Sequence, residues 1–166
     1  MSETHVKGLA ELQKFLDDLA PKMEKNVMRG ALRAGMKVVL PVAQQNIHSV
    51  SGELAAGLKL GTNARGGKVT ASIKAKGTHW YIAKFVEYGT AAHVISGRNG
   101  GWLRLQDGRF VKSVQHPGIS PRPFMRPALD QMSGAAVLAA GAYIKKRLAD
   151  KHGLDTADVV LEEESV

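Results

Sequence analysis

Residues 116–129 read HPGISPRPFMRPAL, and this stretch decides how the last third of the chain enters the fold. It contains four of the six prolines. Each proline fixes its own φ and biases the preceding residue toward an extended conformation. We therefore expect a stiff, extended connection, anchored by Phe124 and Met125. Pro127 suits the first turn of a helix, so the sequence predicts a helix over Pro127–Asp150 that stops at Gly153.

A second short stretch, residues 85–90, reads FVEYGT. Glu87 is the only acidic residue between Glu53 and Asp107. It could neutralise Arg122 or Arg126 of the proline segment, or it could be an exposed glutamate without a partner. The residues alone leave both interpretations open.

The segment Tyr81–Tyr88 leads into this motif. Its apolar spacing fits either a strand or a short helix, and periodicity does not decide between them. In both cases Ile82, Phe85 and Val86 are the expected buried residues.

The N-terminal part predicts two helices. Residues 8–20 have apolar side chains at helical spacing, and a longer helix follows over Lys22–Ile47. Its expected apolar stripe consists of Val27, Ala31, Ala34, Val38 and Val42. Gly30 and Gly35 lower its helix propensity, by about 1 kcal/mol each relative to alanine, and Pro41 predicts a kink or a break.

Strands are expected in the middle of the chain. After a turn at Ser49–Gly52, the glycine-rich residues 61–67 predict a loop between two strands. Val69, Ala71 and Ile73 alternate with polar residues, as in a half-buried strand. Further on, Asp107-Gly108 lies between two short candidate strands, at 102–105 and 109–112, and predicts a hairpin.

Composition narrows the class of protein. The chain has 166 residues, enough for one domain, and its 44% hydrophobic content excludes wholesale disorder. It has no cysteine, which excludes disulfides, thiolate metal sites and a cysteine nucleophile. No signal peptide or membrane-spanning stretch is visible in the sequence.

Charge is distributed unevenly along the chain. The net charge is +8, yet residues 59–126 carry twelve basic residues against two acidic ones, whereas residues 150–166 carry six acidic residues and one basic one. The sequence therefore predicts a basic body with an acidic tail. The basic residues, with Trp80, Trp102 and Phe110 among them, would allow sequence-independent contact with nucleic acid, but a solvated surface or an acidic protein neighbour is the favoured interpretation.

Enzyme motifs are missing from the sequence. The six histidines form no HExxH pattern, and neither GxSxG nor a nucleotide-binding glycine motif occurs. A small hydrolase using His79, His93 or His116 is the enzyme alternative, and no residue spacing supports it. The sequence therefore predicts no enzyme, no cofactor and no metal.

The combination of FVEYGT and HPGISPRPFMRPALD, after a long helix and the Ser49–Leu54 turn, resembles a family of tailed-bacteriophage proteins. These are the tail-completion or neck proteins, also called head–tail joining proteins, of long-tailed phages. The resemblance covers about residues 8–150. Two features depart from it: the proline usual before the Ser-Gly turn is absent, and residues 91–118 are longer than in minimal members.

The resemblance implies a structural virion protein, assembled in the host cytoplasm, that acts by assembly and not by catalysis. It implies a ring of identical subunits, six-fold in this family. The expected neighbours are the head connector or head-closure protein and the tail terminator or tail tube, with possible contact to the genomic DNA inside the ring and none to a membrane. A tail terminator or a minor capsid or tail component is the alternative within this class, and a sequence-independent DNA-binding module is the alternative outside it.

The expected fold is α+β: a small antiparallel sheet packed by a long N-terminal helix and a C-terminal helix, with a projecting hairpin loop. Residues 1–153 would form one domain with a hairpin arm near 91–118, and residues 154–166 an acidic tail. The contact between Glu87 and Arg126 is expected to fix the FVEYGT segment against the proline segment. The candidate interface residues are Phe85, Glu87, Tyr88, Gly89, Thr90, His116, Pro117, Gly118, Pro123, Phe124, Arg126 and Pro127, and those of the arm are Trp102, Asp107, Gly108 and Phe110.

Overall fold

Two long helices form the framework of the protein. The computed structural model describes residues 13, 21–47, 52–78, 80–153 and 156. The α+β class predicted from the sequence is confirmed. The helices are α1 (Pro21–Gln45), α2 (Glu53–Ala56), α3 (Ile82–Tyr88) and α4 (Met125–His152), with a 3₁₀ turn at Arg98–Gly100. The strands are β1 (Leu58–Arg65), β2 (Lys68–Ala75), β3 (His93–Ser96), β4 (Leu103–Arg104), β5 (Phe110–Val111) and β6 (Ser113–His116).

Helix α1 is buried along every fourth residue. The buried positions are Val27, Ala31, Gly35, Val39 and Ala43. The predicted stripe is thus correct at its start, but beyond Ala31 it lies one residue too early, and Ala34, Val38 and Val42 are only half-buried. The buried positions continue through Gly35 and not through Ala34, because Gly35 lies at the contact with α4.

The helix also continues through Pro41, where a kink or break was predicted. Pro41 and Lys37 are both exposed. Because Pro41 has no N–H, the carbonyl of Lys37 loses its hydrogen bond within the helix. This carbonyl lies on the solvent side, where water can donate to it instead.

Helices α1 and α4 approach closely where α1 has glycines. A methyl group added at Gly35 would lie 2.6 Å from the carbonyl oxygen of Ala136, which is backbone. One added at Gly30 would collide with the ring of Tyr143, a movable side chain. Gly35 is therefore required for the packing of α1 on α4, whereas at Gly30 the neighbouring side chain can move.

The β1–β2 hairpin packs on α1 through alternate residues. Leu58 pairs with Ala75 and Arg65 with Lys68, so the antiparallel register extends over the whole of both strands. The prediction of a loop over residues 61–67 is wrong, because β1 runs through Gly61 to Arg65. Only Gly66 and Gly67 form the turn, and both have the positive φ that a tight two-residue hairpin requires.

The buried side chains form two clusters. The first joins the start of α1 to the end of α4 through Val27, Ala31, Ile144 and Leu148. The second lies between the two helices and the β1–β2 hairpin. Its buried members are Val39, Ala43, Ile47, Leu58, Ile73, Phe124 and Ala128. Phe124 is 1% exposed, which places the predicted anchor in the core.

Residues 91–118 form a long arm. Strands β3 and β6 pair antiparallel near its base, with His93 opposite His116. Strands β4 and β5 pair near its tip, with Leu103 opposite Val111. An isolated bridge between Thr90 and Ile119 closes the base.

Helix α4 begins two residues before the predicted start and ends two after the predicted end. Gly153 follows it in the left-handed conformation and caps it, its N–H donating to the carbonyl of Ala149. The expected helix over 8–20 (except Gln13), the turn over 49–51 and most of the tail over 154–166 lie outside the described residues. Within the described ranges, no helix is both long and apolar enough to span a membrane.

We expect Gly35→Ala to lower the free energy of unfolding by about 1–2 kcal/mol, because the clash with the backbone of Ala136 outweighs the gain in helix propensity. Gly30→Ala is the matched control on the same helix. Because Tyr143 can rotate away, we expect it to change stability by less than about 1 kcal/mol. Urea unfolding followed by circular dichroism measures both. Equal effects would show that backbone approach does not govern this crossing.

Candidate functional site: the joint at the start of the C-terminal helix

The first turn of α4 has no capping side chain of its own. Its N-cap residue is Phe124, whose side chain is buried in the core. The first N–H groups of any helix lack partners within the helix and need acceptors from elsewhere. Here those groups belong to Phe124, Met125 and Arg126, while the next residue, Pro127, has no N–H.

The acceptor is Glu87, which lies near the end of α3 and 37 residues before Phe124 in sequence. One carboxylate oxygen accepts hydrogen bonds from the N–H groups of Phe124 at 2.8 Å and Met125 at 3.0 Å. The other accepts from Arg126 at 3.3 Å. A carboxylate at a helix N-terminus also interacts favourably with the helix dipole. A single side chain thus completes the first turn of α4.

Glu87 does contact the proline segment, but not in the way the sequence suggested. Its partners are backbone N–H groups, whereas the side chains of Arg122 and Arg126 lie at exposed positions. The backbone of Arg122 adds a further link, since its N–H donates to the carbonyl of Val86 at 2.8 Å. The charge of Glu87 is therefore used to hold a helix start and not to pair with arginine.

The rest of the FVEYGT motif brings two backbone segments into contact. Gly89 has φ 70° and ψ −178°, a conformation open essentially to glycine alone. A methyl group there would lie 2.6 Å from the carbonyl oxygen of Ile119 and 2.9 Å from the ring of Pro121. The next residue, Thr90, exchanges two backbone hydrogen bonds with Ile119, at 2.9 and 3.1 Å.

The HPG part of the second motif lies on the other side of this contact. Gly118 has φ 89°, and a methyl group there would collide with the carbonyl oxygen of Thr90. His116 Nδ1 accepts a hydrogen bond from the Gly118 N–H at 3.0 Å, which holds the turn at Pro117. The ring of His116 lies 5.0 Å from that of His93. We call the interlocked residues 86–90 and 116–126 the joint.

Asn46 contacts the joint, and sequence reasoning missed it. Its side-chain amide approaches the carbonyl oxygen of Phe124 at 3.5 Å, linking the end of α1 to the start of α4. It also lines an open groove of about 1000 Å³, together with Arg122, Pro123, Arg126, Pro127, Asp130 and Gln131. No pattern in the sequence singles out Asn46, because the contact spans 78 residues.

Helix α3 exposes much of its apolar surface. Ile82 and Phe85, which were predicted to be buried, are 37% and 40% exposed. In the helical conformation Ala83 and Val86 face the core instead. Trp80, Tyr81 and Phe85 make successive edge-to-face contacts, and Tyr88 is also exposed. We call this surface the aromatic face.

The tip of the arm is ordered by local contacts. Asp107 accepts hydrogen bonds from the backbone N–H of Arg109 at 3.0 Å and from its Nε at 2.6 Å. Gly108 has φ 86° in the turn that follows. The ammonium of Lys112 lies 5.6 Å from the ring of Trp102. Trp102 and Phe110 are 64% and 63% exposed, so the arm presents aromatic side chains to solvent.

The candidate residues therefore fall into three groups. The joint, with the adjoining Pro127, contains most of them. The aromatic face contains Phe85 and shares Tyr88 with the joint, and the arm contains the remaining four. Among the histidines proposed for catalysis, His93 and His116 meet at the base of the arm, and His79 lies outside the described residues. No cluster of three potential metal ligands occurs among the residues that the structure describes.

We expect Glu87→Ala to lower the free energy of unfolding by about 2 kcal/mol, because three helix N–H groups lose their acceptor. Arg126→Ala is the matched comparison at the same contact. Because only its backbone is used, we expect a change of at most about 0.5 kcal/mol. Chemical unfolding measures both. A large loss from Arg126→Ala with little loss from Glu87→Ala would show that the guanidinium, and not the backbone, holds the joint.

Comparison with protein families gives a match to the N-terminal half of the domain. A family model described as "Bacteriophage HK97-gp10, putative tail-component" matches residues 10–89, from the predicted first helix to Gly89 of the FVEYGT motif. Neither the curated proteins nor the solved structures gave a match. The resemblance to phage tail-associated proteins is therefore confirmed, and residues 10–89 of the chain are similar to HK97-gp10-like bacteriophage tail components.

Proposed function

We propose that the protein is a structural component of the phage neck. In this proposal it forms a ring of identical subunits, six-fold as the family resemblance implies, between the head connector and the tail tube. The ring joins the DNA-filled head to the tail, and the protein acts by assembly and not as an enzyme. Residues 1–153 act as one domain, with residues 154–166 as an acidic tail.

The observation that carries this proposal is an arm with exposed aromatic residues, held at its base by the joint. The base is closed by the Thr90–Ile119 bridge and by Gly89 and Gly118, which leave little room for movement between the two segments. Trp102 and Phe110 then stand near the tip with most of their surface in solvent. Exposed aromatic residues on an ordered element are typical of interface anchors.

A ring also requires two different surfaces on each subunit. In a head-to-tail interface, one patch meets an unlike patch on the next copy. The chain presents such a pair, because the aromatic face lies on α3 and the apolar residues of the arm lie on a separate hairpin. We propose that the arm of one subunit contacts the neighbouring subunit or ring.

Charge supports assembly in a defined register. Residues 91–118 carry four basic residues (Arg98, Arg104, Arg109 and Lys112) and one acidic residue, Asp107. Residues 154–166 carry five acidic residues and no basic one. Complementary patches of this kind steer association and disfavour wrong pairings. The proposed neighbours are the head-closure protein above the ring and the tail terminator or tube below it, in the assembled virion.

A tail terminator is the second candidate within the same class. A ring that closed the end of the tail would need the same heterologous interfaces, so the geometry described above fits both. The two roles differ in the particles that accumulate when the protein is missing.

Electron microscopy of lysates from a phage lacking this gene tests the proposal. We expect filled heads and separate finished tails, because both precursors mature but cannot join. Overlong or irregular tails would identify a terminator instead. Normal virions would contradict any essential role at the neck.

Complementation of that deletion tests the role of the arm. We expect the double variant Trp102→Ala/Phe110→Ala to leave the melting temperature of the purified protein unchanged, because both side chains are exposed, yet to fail to restore joined virions. Lys146→Ala/Arg147→Ala, at exposed positions on α4, is the control and should restore them. Full rescue by the arm variant would exclude these two residues as interface anchors.

A further inference from the structure

The solvent side of the β1–β2 hairpin is basic and carries no acidic residue. Leu58, Leu60, Ile73 and Ala75 contribute to the core on the α1 side. The opposite side presents Lys59, Arg65, Lys68 and Lys74, all exposed. No acidic residue occurs between Glu53 and Glu87. We call these four residues the basic face.

The register places like charges directly opposite one another. Lys59 pairs with Lys74 near one end of the hairpin, and Arg65 pairs with Lys68 at the turn. Directly opposed like charges destabilise a strand pair. None of the four side chains has an ion-pair partner among the described residues. The fold thus carries two repulsive pairs that nothing in this part of the subunit relieves.

We propose that the basic face binds the sugar-phosphate backbone of duplex DNA without reading its sequence. Bound phosphates would relieve both repulsive pairs at once. Association of this kind is dominated by the release of counterions from the DNA when basic side chains neutralise phosphates.

The dimensions of the face suit a wide, regular polyanion. The two charged pairs are separated by six residues along β1, which is about 20 Å in an extended strand. Between them the face carries only small or neutral residues: Gly61, Asn63, Thr70 and Ser72. A duplex can therefore lie across the hairpin and contact both pairs without meeting a bulky side chain.

The same composition disfavours other partners. Binding of single-stranded nucleic acid relies on aromatic platforms for base stacking, and the basic face has none. Protein interfaces are usually anchored by buried aromatic or large apolar residues, which are also missing from this face. Among the described residues, the exposed aromatic side chains lie on or just before α3 and on the arm instead.

This inference extends the proposed function, since a neck ring encloses the path of the DNA, but it can be tested on the isolated protein. Fluorescence anisotropy with a labelled 24-bp duplex and the full-length chain measures affinity against salt concentration. We expect Lys59→Gln/Lys74→Gln and Arg65→Gln/Lys68→Gln each to reduce the slope of log K against log salt by about 1.8, since each removes about two phosphate contacts. The matched control, Lys146→Gln/Arg147→Gln, makes the same change in net charge on α4 and should leave the slope unchanged.

A loss of DNA binding in the hairpin variants would not be explained by unfolding. Because each hairpin variant removes a repulsive pair, we expect its melting temperature to equal or exceed that of the unchanged protein. Equal loss of affinity in the control and hairpin variants, unchanged affinity in the hairpin variants, or no binding by the unchanged protein at 50 mM salt would each overturn the proposal. Binding to single-stranded DNA as tight as to duplex would also overturn it.

The acidic tail is the competing occupant. A labelled peptide of residues 154–166 that binds the unchanged protein but not the hairpin variants, with no binding of duplex, would assign the face to the tail and contradict the proposal. The result of the DNA-binding experiment does not depend on whether the protein acts at the neck. Duplex binding with normal virions after gene deletion would remove only the neck proposal, whereas separated heads and tails without duplex binding would remove only this inference.

Discussion

The contact between Glu87 and the start of α4 is the constraint on which the rest of the structure depends. Three N–H groups at the beginning of a 28-residue helix converge on one carboxylate, and the next residue is a proline that has no N–H to satisfy. The contact fixes the end of α3 against the point where α4 begins. The chain between them can then leave and return as an arm without changing how α4 packs. The length of that arm is therefore free to differ while the core around Phe124 is kept.

Close backbone approach makes this arrangement possible in a chain that is only 5% aromatic. Gly35 admits the backbone of α4 against α1, and Gly89 and Gly118 admit the two segments of the joint against each other. At each point a single methyl group would meet a carbonyl oxygen and not a movable side chain. Small residues bring backbones together at these three points. Among the described residues most aromatic side chains, including Trp102 and Phe110, are exposed, whereas aliphatic residues and alanine surround Phe124 in the core.

The sequence predicted those features that depend on neighbours along the chain. The two long helices, the Asp-Gly turn of the arm, the glycine stop at residue 153 and the burial of Phe124 all follow from local periodicity, turn residues or proline constraints. The sequence did not predict the features that depend on contacts with another segment of the chain. Residues 61–65 form a strand because each of them pairs with a residue of β2, although Gly61 and the polar residues beside it suggest a loop. Phe85 is exposed because α3 turns Val86 to the core, and Asn46 joins the site through a contact with Phe124 that no short pattern encodes.

The distribution of charge over the surface also bears on function. The acidic group best placed to neutralise the basic body, Glu87, is occupied by backbone N–H groups, so the positive charge of residues 59–126 remains largely available at the surface. Four of the twelve basic residues lie on the basic face of the hairpin, which lacks aromatic residues, and four lie on the arm, which carries them. Contact with phosphates requires positive charge on a surface without bulky side chains, whereas a protein interface also requires apolar anchor residues. The two surfaces therefore suit different partners, and the proposed ring would use both.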